Sequence, residues 1–428
     1  MTSWNDTSAD AALRSLYAAA VRAADPLAVL AAHLPEPPAR GRVIVVGVGK
    51  AVAKMAQAVE AAWAHVPLTG LVIAPHGAGL PLSRIALRFG RHPTPDAGGA
   101  AAAAEMLALM QGLTGDDLVL ALISGGGSSL STLPAPGLSL EDLIATNQAL
   151  LDSGAVIGEM NCIRKHLSAF SGGRLAVAAH PARVVTLAIS DVPGDDPEVI
   201  ASGPTVGDPS SFAEARALVA RYSMDLPPAV LAHLAAGAEE SPKPGDPRLG
   251  NTELRMIATP MMALLAMAEA ARGLGLTPLI LGDALEGEAR HVGTVLGGMA
   301  RSVAAHGLPL PAPCLLLSGG ETTVTMEKGT QGAGGRSTEC LLSLALTLNG
   351  APGIWALCAD TDGIDGKSEH AGAIAGPGSL AAARAKGLDP RALLVAHRSL
   401  EVFAASGGLV TTGPTLTNVN DVRAILIT

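Results

Sequence analysis

Apolar residues fall in short unbroken runs at 43–46, 71–74, 118–123, 184–189, 279–281, 314–317, 354–358 and 424–427. A run without polar alternation predicts a strand covered on both faces, as in a sheet between helical layers. Ala-rich stretches with helical spacing lie between many of the runs, at 51–64, 97–110, 262–272 and 287–305. Alternation of this kind predicts an α/β fold with mostly parallel strands. Segment 321–328 breaks the pattern by alternating apolar and polar residues, which predicts a hairpin. Segment 225–249 is rich in proline and glycine and is the expected linker. Two domains, 1–245 and 246–428, follow from that boundary, and 428 residues are enough for both.

Many of the predicted strands run into loops bearing Gly, Ser or Asp. The clearest is Ser124-Gly125-Gly126-Gly127-Ser128-Ser129. Glycines let backbone N–H groups converge into an anion-binding nest, and the two serines add hydroxyls and a helix cap. Another strand ends in Gly47-Val48-Gly49-Lys50, whose lysine stands at a helix start, against the helix dipole, as an anion-binding lysine would. Asp191, Asp195 and Asp196 share one loop, and Asp360, Asp362 and Asp365 share another. Carboxylates facing a phosphate nest suit Mg²⁺, which takes one or two acids plus phosphate oxygens. Ser318-Gly319-Gly320-Glu321 ends a further strand, and Arg336 opens an apolar helix that Ser337 could cap. Parallel strands would gather these loops at the carboxyl edges of their sheets, with a cleft between the domains.

Near-miss motifs narrow the chemistry. Val52 stands where a dinucleotide fingerprint needs its third glycine, and run 71–74 ends in Pro75-His76-Gly77 rather than in an acid for a ribose hydroxyl. The Lys50 loop is not a Walker loop, since Ala51 follows the lysine, and Asp360 to Asp365 is out of register for an EF-hand. Arg164-Lys165-His166 ends a helical stretch, where cations are structurally ordinary. His92-Pro93-Thr94-Pro95-Asp96 fits substrate contact or a rigid turn equally well. The net charge of −9, the absence of a basic stripe and 2% aromatics argue against nucleic-acid binding. Cys162, Cys314, Cys340 and Cys358 form no C-x-x-C pair and read as structural thiols of a reducing compartment. The N-terminal stretch lacks the apolar run of a signal peptide, and no run is long enough to span a membrane, so a cytoplasmic protein is expected.

In order along nearly the whole chain, these segments resemble the class II glycerate 2-kinase family. Its C-terminal part is called the MOFRL domain, and its members are often labelled hydroxypyruvate reductase. The resemblance rests on Gly47 to Ala51, His92 to Asp96, Ser124 to Ser129, Asn161 to Ala176, Ser190 to Asp195, Ala201 to Thr205, Ser318 to Glu321, Gly335-Arg336, Ala359 to Gly366, and Thr412 to Asp421. It implies a Rossmann-like, doubly wound N-terminal domain and a smaller C-terminal α/β domain, with the active site in the cleft. It implies ATP and Mg²⁺, D-glycerate as the acceptor and 2-phosphoglycerate as product. The family's essential lysine falls on Lys50 and its essential arginine on Arg336, while Asn161 and Asp191 also match active-site positions. Ser337 stands where the family usually has Asn, and Glu339 is kept.

The expected roles follow. Ser124, Gly125, Gly126, Gly127, Ser128 and Ser129, with Gly319, Gly320 and Glu321, would bind ATP. Lys50, Arg336 and Asp191 would be catalytic, and Asp191, Asp360 and Asp362 would hold Mg²⁺. Small molecules would be the partners, without nucleic acid or membrane, and a homodimer is compatible with the sequence. A nicotinamide-dependent hydroxypyruvate reductase and a non-catalytic nucleotide or sugar-acid sensor stay open as rivals.

Overall fold

The computed structural model of this chain describes residues 4–326 and 329–428. It divides into two compact units, Pro26–Ile257 and, in the other, Met1–Asp25 with Ala258–Thr428.

In the first unit, β1 (Val43–Val48), β2 (Thr69–Pro75), β3 (Ile85–Gly90), β4 (Leu118–Ser124), β5 (Arg183–Ile189) and β6 (Thr252–Ala258) form a sheet in the order β3-β2-β1-β4-β5-β6. Neighbours from β3 through β5 are parallel. β1 and β4 are buried along their whole length, which explains their unbroken apolar runs. β3 and β6 were not legible as runs because they are edge strands. Arg88 and Phe89 of β3 and Glu253 of β6 are exposed.

A second cluster in this unit joins the helices Leu140–Asp152, Ile157–His166, Phe212–Arg221 and Pro228–Ala236 around Leu143, Leu150, Ile163, Leu167, Phe212 and Val230. The last of these helices lies in the stretch read as a linker. Pro228 suits a first helical turn, and Val230 and Leu234 are buried, so packing wins over the local proline content.

The second unit contains β7 (Thr277–Gly282), β8 (Gly287–Glu288), β9 (Cys314–Gly320), β10 (Thr322–Thr323), β11 (Ile354–Asp360), β12 (Gly372–Ala375), β13 (Leu409–Val410) and β14 (Asp421–Ile427). The main sheet has the order β13-β12-β11-β14-β9-β7. β7 pairs parallel with β9, and the other pairings are antiparallel. The parallel expectation therefore gives way here to a mixed sheet, since an apolar run reads the same in either direction. Nor does the expected hairpin form in the described part of 321–328. β10 instead pairs parallel with β8, while Glu327 and Lys328 lie outside the described residues.

The helix Asp6–Ala23 buries Ala9, Leu13, Leu16, Tyr17 and Ala20, a stripe with helical spacing. Its partners are the helix Pro260–Gly273 and strands β11 and β14. Asp6 accepts a hydrogen bond from Trp355 Nε1 at 2.8 Å, and Tyr17 donates one to the Asp360 carbonyl at 2.8 Å. The first helix of the chain thus packs with its last sheet.

Candidate active site

Strand order in the first unit reverses between β1 and β4. Ligands of such sheets collect at the carboxyl ends of the strands at that reversal. Two of the expected loops emerge there side by side, because Val48 is in register with Ile123. Lys50 N–H donates to the Gly125 carbonyl at 2.9 Å, and Ala51 N–H donates to Ser124 Oγ at 3.0 Å. Ser124 is fully buried and ties the two loops together.

Each glycine of the nest has a neighbour that excludes a side chain. A Cβ on Gly125 would land on the Asp191 carboxylate, and one on Gly127 would press on the Ala201 methyl at 2.5 Å. Gly126 has φ +79, and its Cβ would meet the His92 ring at 3.0 Å and the Lys50 stem at 3.3 Å. The nest therefore gathers Lys50, His92 and Asp191, three residues from three separate segments. The helix after it, Gly127–Leu130, is a single turn. Backbone donors rather than a long helix dipole would do the binding. The serine hydroxyls are engaged within the loop region: Ser128 bonds Ser202 at 2.8 Å and Ser129 donates to the Gly126 carbonyl at 3.2 Å.

Ala201 and Ser202 hold φ of +50 and +60, followed by Gly203 at +58. Two non-glycine residues in this region cost about 1–2 kcal/mol each. Such strain gathers where a backbone is positioned for function. Here it seats Ala201 on Gly127 and Ser202 on Ser128.

Beside the nest opens a pocket of about 250 Å³. Gly126, Ser128 and Ser129 form one wall, Leu143, Leu150 and Leu167 another, and His92 and Arg164 contribute ring and charge. Asp96, from the same motif as His92, caps the following helix by accepting from Gly99 N–H at 2.9 Å. Asp96 thus caps the helix, while His92 of the same motif lines the pocket.

In the second unit, Arg336 is the first residue of its helix. Its guanidinium donates to Glu321, to Asp360 at 2.7 Å and to Asp421 at 3.0 Å. Burial works against the charge, but Asp421, Asp360 and Glu321 outweigh it and hold the group protonated above its usual pKa. Asp421 reaches this point because β14 runs antiparallel: its first residue is in register with the last residues of β9 and β11, Gly320 and Asp360. Asp360 is pushed well above the usual carboxylate pKa by burial and by Asp362 and Asp421. Fully buried Arg423 offsets part of this negative charge, donating to Asp421 at 3.1 Å and to the Gly319 and Gly320 carbonyls at 3.1 and 3.0 Å.

The helix cap differs from expectation. Ser337 lies inside the first turn, and its hydroxyl is buried with no hydrogen-bond partner. Asp365 caps instead, accepting from Ser337 and Thr338 N–H at 2.9 Å each and from the Thr338 hydroxyl at 2.7 Å. Burial pushes Asp365 up to about 6 despite these bonds.

The predicted residues thus form two sets. Lys50, Ser124 to Ser129 and Asp191 converge in one unit; Gly319, Gly320, Glu321, Asp360 and Arg336 converge in the other. A Cβ on Gly320 would meet the Leu285 backbone, Arg423 takes up both glycine carbonyls, and Asp360 is hydrogen-bonded to Arg336. Asp362 accepts from Ile364 N–H at 2.9 Å. Among the described residues no group of three or more His, Cys, Asp or Glu is arranged to hold a metal ion. Mg²⁺ asks for fewer, because phosphate oxygens complete its shell. No motif in the sequence assigns a role to Asp421, Arg423 or Ser202 individually, and Arg164 stands where a helix-end cation is ordinary. A charged residue inside the apolar run of β14 was the available signal for Arg423. No single described helix is long and apolar enough to cross a membrane.

Comparison with known proteins covers both units. A family model described as a domain of unknown function, DUF4147, matches residues 12–235, and the MOFRL family model matches residues 314–421. A protein of Agrobacterium vitis that carries a hydroxypyruvate reductase name is 56% identical over 424 residues, 99% of this chain and 96% of that protein. A glycerate 2-kinase of Pyrococcus horikoshii is 38% identical over 395 residues, 91% of this chain and 88% of its own length. The crystal structure of a glycerate kinase from Thermotoga maritima matches with a TM-score of 0.90 at 35% identity, covering 99% of this chain and 100% of that one.

Proposed function

The chain belongs to the glycerate 2-kinase family with a MOFRL domain, and we propose that it transfers the γ-phosphoryl group of ATP to the 2-hydroxyl of D-glycerate, giving 2-phosphoglycerate and ADP. One observation carries this most directly. A lysine stem and a carboxylate press on a single glycine nest where the strand order reverses. A backbone nest for phosphates, a lysine for the transferring charge and an acid for a divalent cation are the parts phosphoryl transfer needs.

Residues 124–129 would cradle phosphate oxygens. Lys50 and Arg336 would stabilise charge on the transferring group, work worth about 10²–10³ in turnover per donor. Mg²⁺ fits an all-oxygen donor set, and Asp191, pressed against the nest, would hold it together with phosphate oxygens. When bound, the ion neutralises phosphate charge. Use of ATP supports a cytoplasmic setting.

The hydroxypyruvate reductase name on the Agrobacterium relative favours a second reading. Against it, β2 ends at Pro75 and is followed by His76 and Gly77, with no acid for a ribose hydroxyl, and Val52 packs on Gly47 where a third glycine would stand.

The test incubates the protein with D-glycerate, ATP and Mg²⁺ and couples the product to enolase. Signal without added phosphoglycerate mutase is expected, falling about 100-fold in Lys50→Ala. Signal only after mutase would mean the 3-isomer. Oxidation of NADH with hydroxypyruvate and no ADP release would establish the reductase instead.

A further inference from the structure

We propose that the pocket beside the nest is a carboxylate-recognition site built on Arg164, which takes the acceptor by its acid group and leaves its hydroxyl end toward residues 126–129. The identity of the acceptor rests on the kinase reading; the anion site itself rests on the pocket.

Three consecutive basic residues at the end of the helix Ile157–His166 make different contacts. Lys165 is buried against Asp208 at 2.7 Å, and His166 bonds Glu240 at 3.1 Å and the Cys162 carbonyl at 2.7 Å. Lys165 is neutralised within the protein, as structural cations are, and both ring nitrogens of His166 are engaged in internal hydrogen bonds. Arg164 is not neutralised in this way. Its hydrogen-bond partners are the side-chain oxygens of Asn161, at 3.3 Å, and of Asn147, both neutral. Burial holds its guanidinium below the usual arginine pKa, with no acidic residue contributing to offset it. Two asparagines orient the planar fork without cancelling its charge. A guanidinium has five N–H donors, so donors remain for a ligand.

That side chain lines the 250 Å³ pocket. Gly126, Ser128 and Ser129 of the nest line the same pocket. A volume of about 250 Å³, below the 300–1,000 Å³ typical of drug-sized ligands, suits a three-carbon acid. The aliphatic wall of Leu143, Leu150 and Leu167 excludes water around the charge, which strengthens its attraction for an anion. A planar fork matches a carboxylate bidentately. An inorganic phosphate shares the chemistry and is separated by the test.

Calorimetric titration of the full-length protein, without ATP, with D-glycerate, glycerol and inorganic phosphate reads the site directly. D-glycerate is expected to bind and glycerol to give no heat. Arg164→Met should weaken D-glycerate binding about 100-fold, Arg164→Lys less, and Asn147→Ala about 10-fold. Melting curves identify any variant that fails to fold, and the lysine and alanine variants carry the measurement in that case. In turnover, Arg164→Met should raise the KM for D-glycerate to a similar extent while leaving the KM for ATP within about twofold. Unchanged D-glycerate affinity in folded Arg164 variants overturns the assignment. So does phosphate binding more tightly than D-glycerate in an Arg164-dependent way. Arg164-dependent binding of D-glycerate without any phosphorylation leaves the carboxylate site standing and removes the kinase reading instead.

Discussion

The nest at residues 124–129 and the cluster around Arg336 are both sites for charge, yet they are built by opposite means. The nest is main chain. Its glycines are required because a carboxylate, a methyl, a ring and a lysine stem occupy the places of their side chains. The Arg336 cluster is side chain on side chain, one guanidinium among Glu321, Asp360 and Asp421. The first is held by exclusion of volume, the second by balance of charge. A nest should therefore be spoiled by adding a methyl group, and the cluster by removing an ion.

The largest effect is expected at the cluster. On the role proposed for it, Arg336→Ala should lower kcat/KM for the kinase reaction about 10³-fold, since it would remove a donor to the transferring group and leave buried acids uncompensated. Arg336→Lys keeps the charge and loses the fork, and should still cost about 10²-fold. Recovery to within a few-fold by the lysine variant would mean that charge alone matters there.

Next comes pH dependence at Asp365. Its folded pKa, about 6, lies above the ordinary aspartate value of 3.8. The native state therefore holds this proton more tightly than the unfolded chain. Its contribution to stability is complete below about pH 4 and is lost as pH rises through 6, on the order of 3 kcal/mol in all. Asp365→Asn should remove this slope. Urea unfolding of both proteins between pH 4 and 7 gives the difference curve, and a flat difference would show that the buried cap does not titrate there.

The smallest effect belongs to the nest. Gly126→Ala forces a non-glycine residue to φ +79 and presses its Cβ on His92 and Lys50. A stability loss of about 1–2 kcal/mol is expected, read from the melting midpoint, with a parallel fall in turnover. An alanine variant with wild-type midpoint and turnover would mean that the loop has slack and that volume does not hold it.

The same contrast governs what was legible beforehand. Lys50, the glycines and Asp191 lie in loops at the ends of long apolar runs, and parallel strands bring such ends together. Asp421 could not be placed that way. It begins its strand, and only the antiparallel direction of β14 sets it beside the ends of β9 and β11. Burial periodicity carries no information on direction. Arg164 was hidden by its neighbours, because Lys165 and His166 are structural and one triplet reads as one feature. The capping role fell to Asp365 rather than Ser337 because a carboxylate from a distant loop satisfies both orphan N–H groups at once.

The helix Asp6–Ala23 sets an order of events in synthesis. It leaves the ribosome well before the helix Pro260–Gly273 and the strands β11 and β14 that cover its apolar stripe. Residues Pro26–Ile257 emerge in between and have their own core to fold around. The nascent helix must wait for Pro260–Gly273 to be made, and its apolar face is fully covered only once β14 follows. Tyr17 then braces the carbonyl of Asp360, so the Arg336 cluster is closed by a side chain made long before its other members.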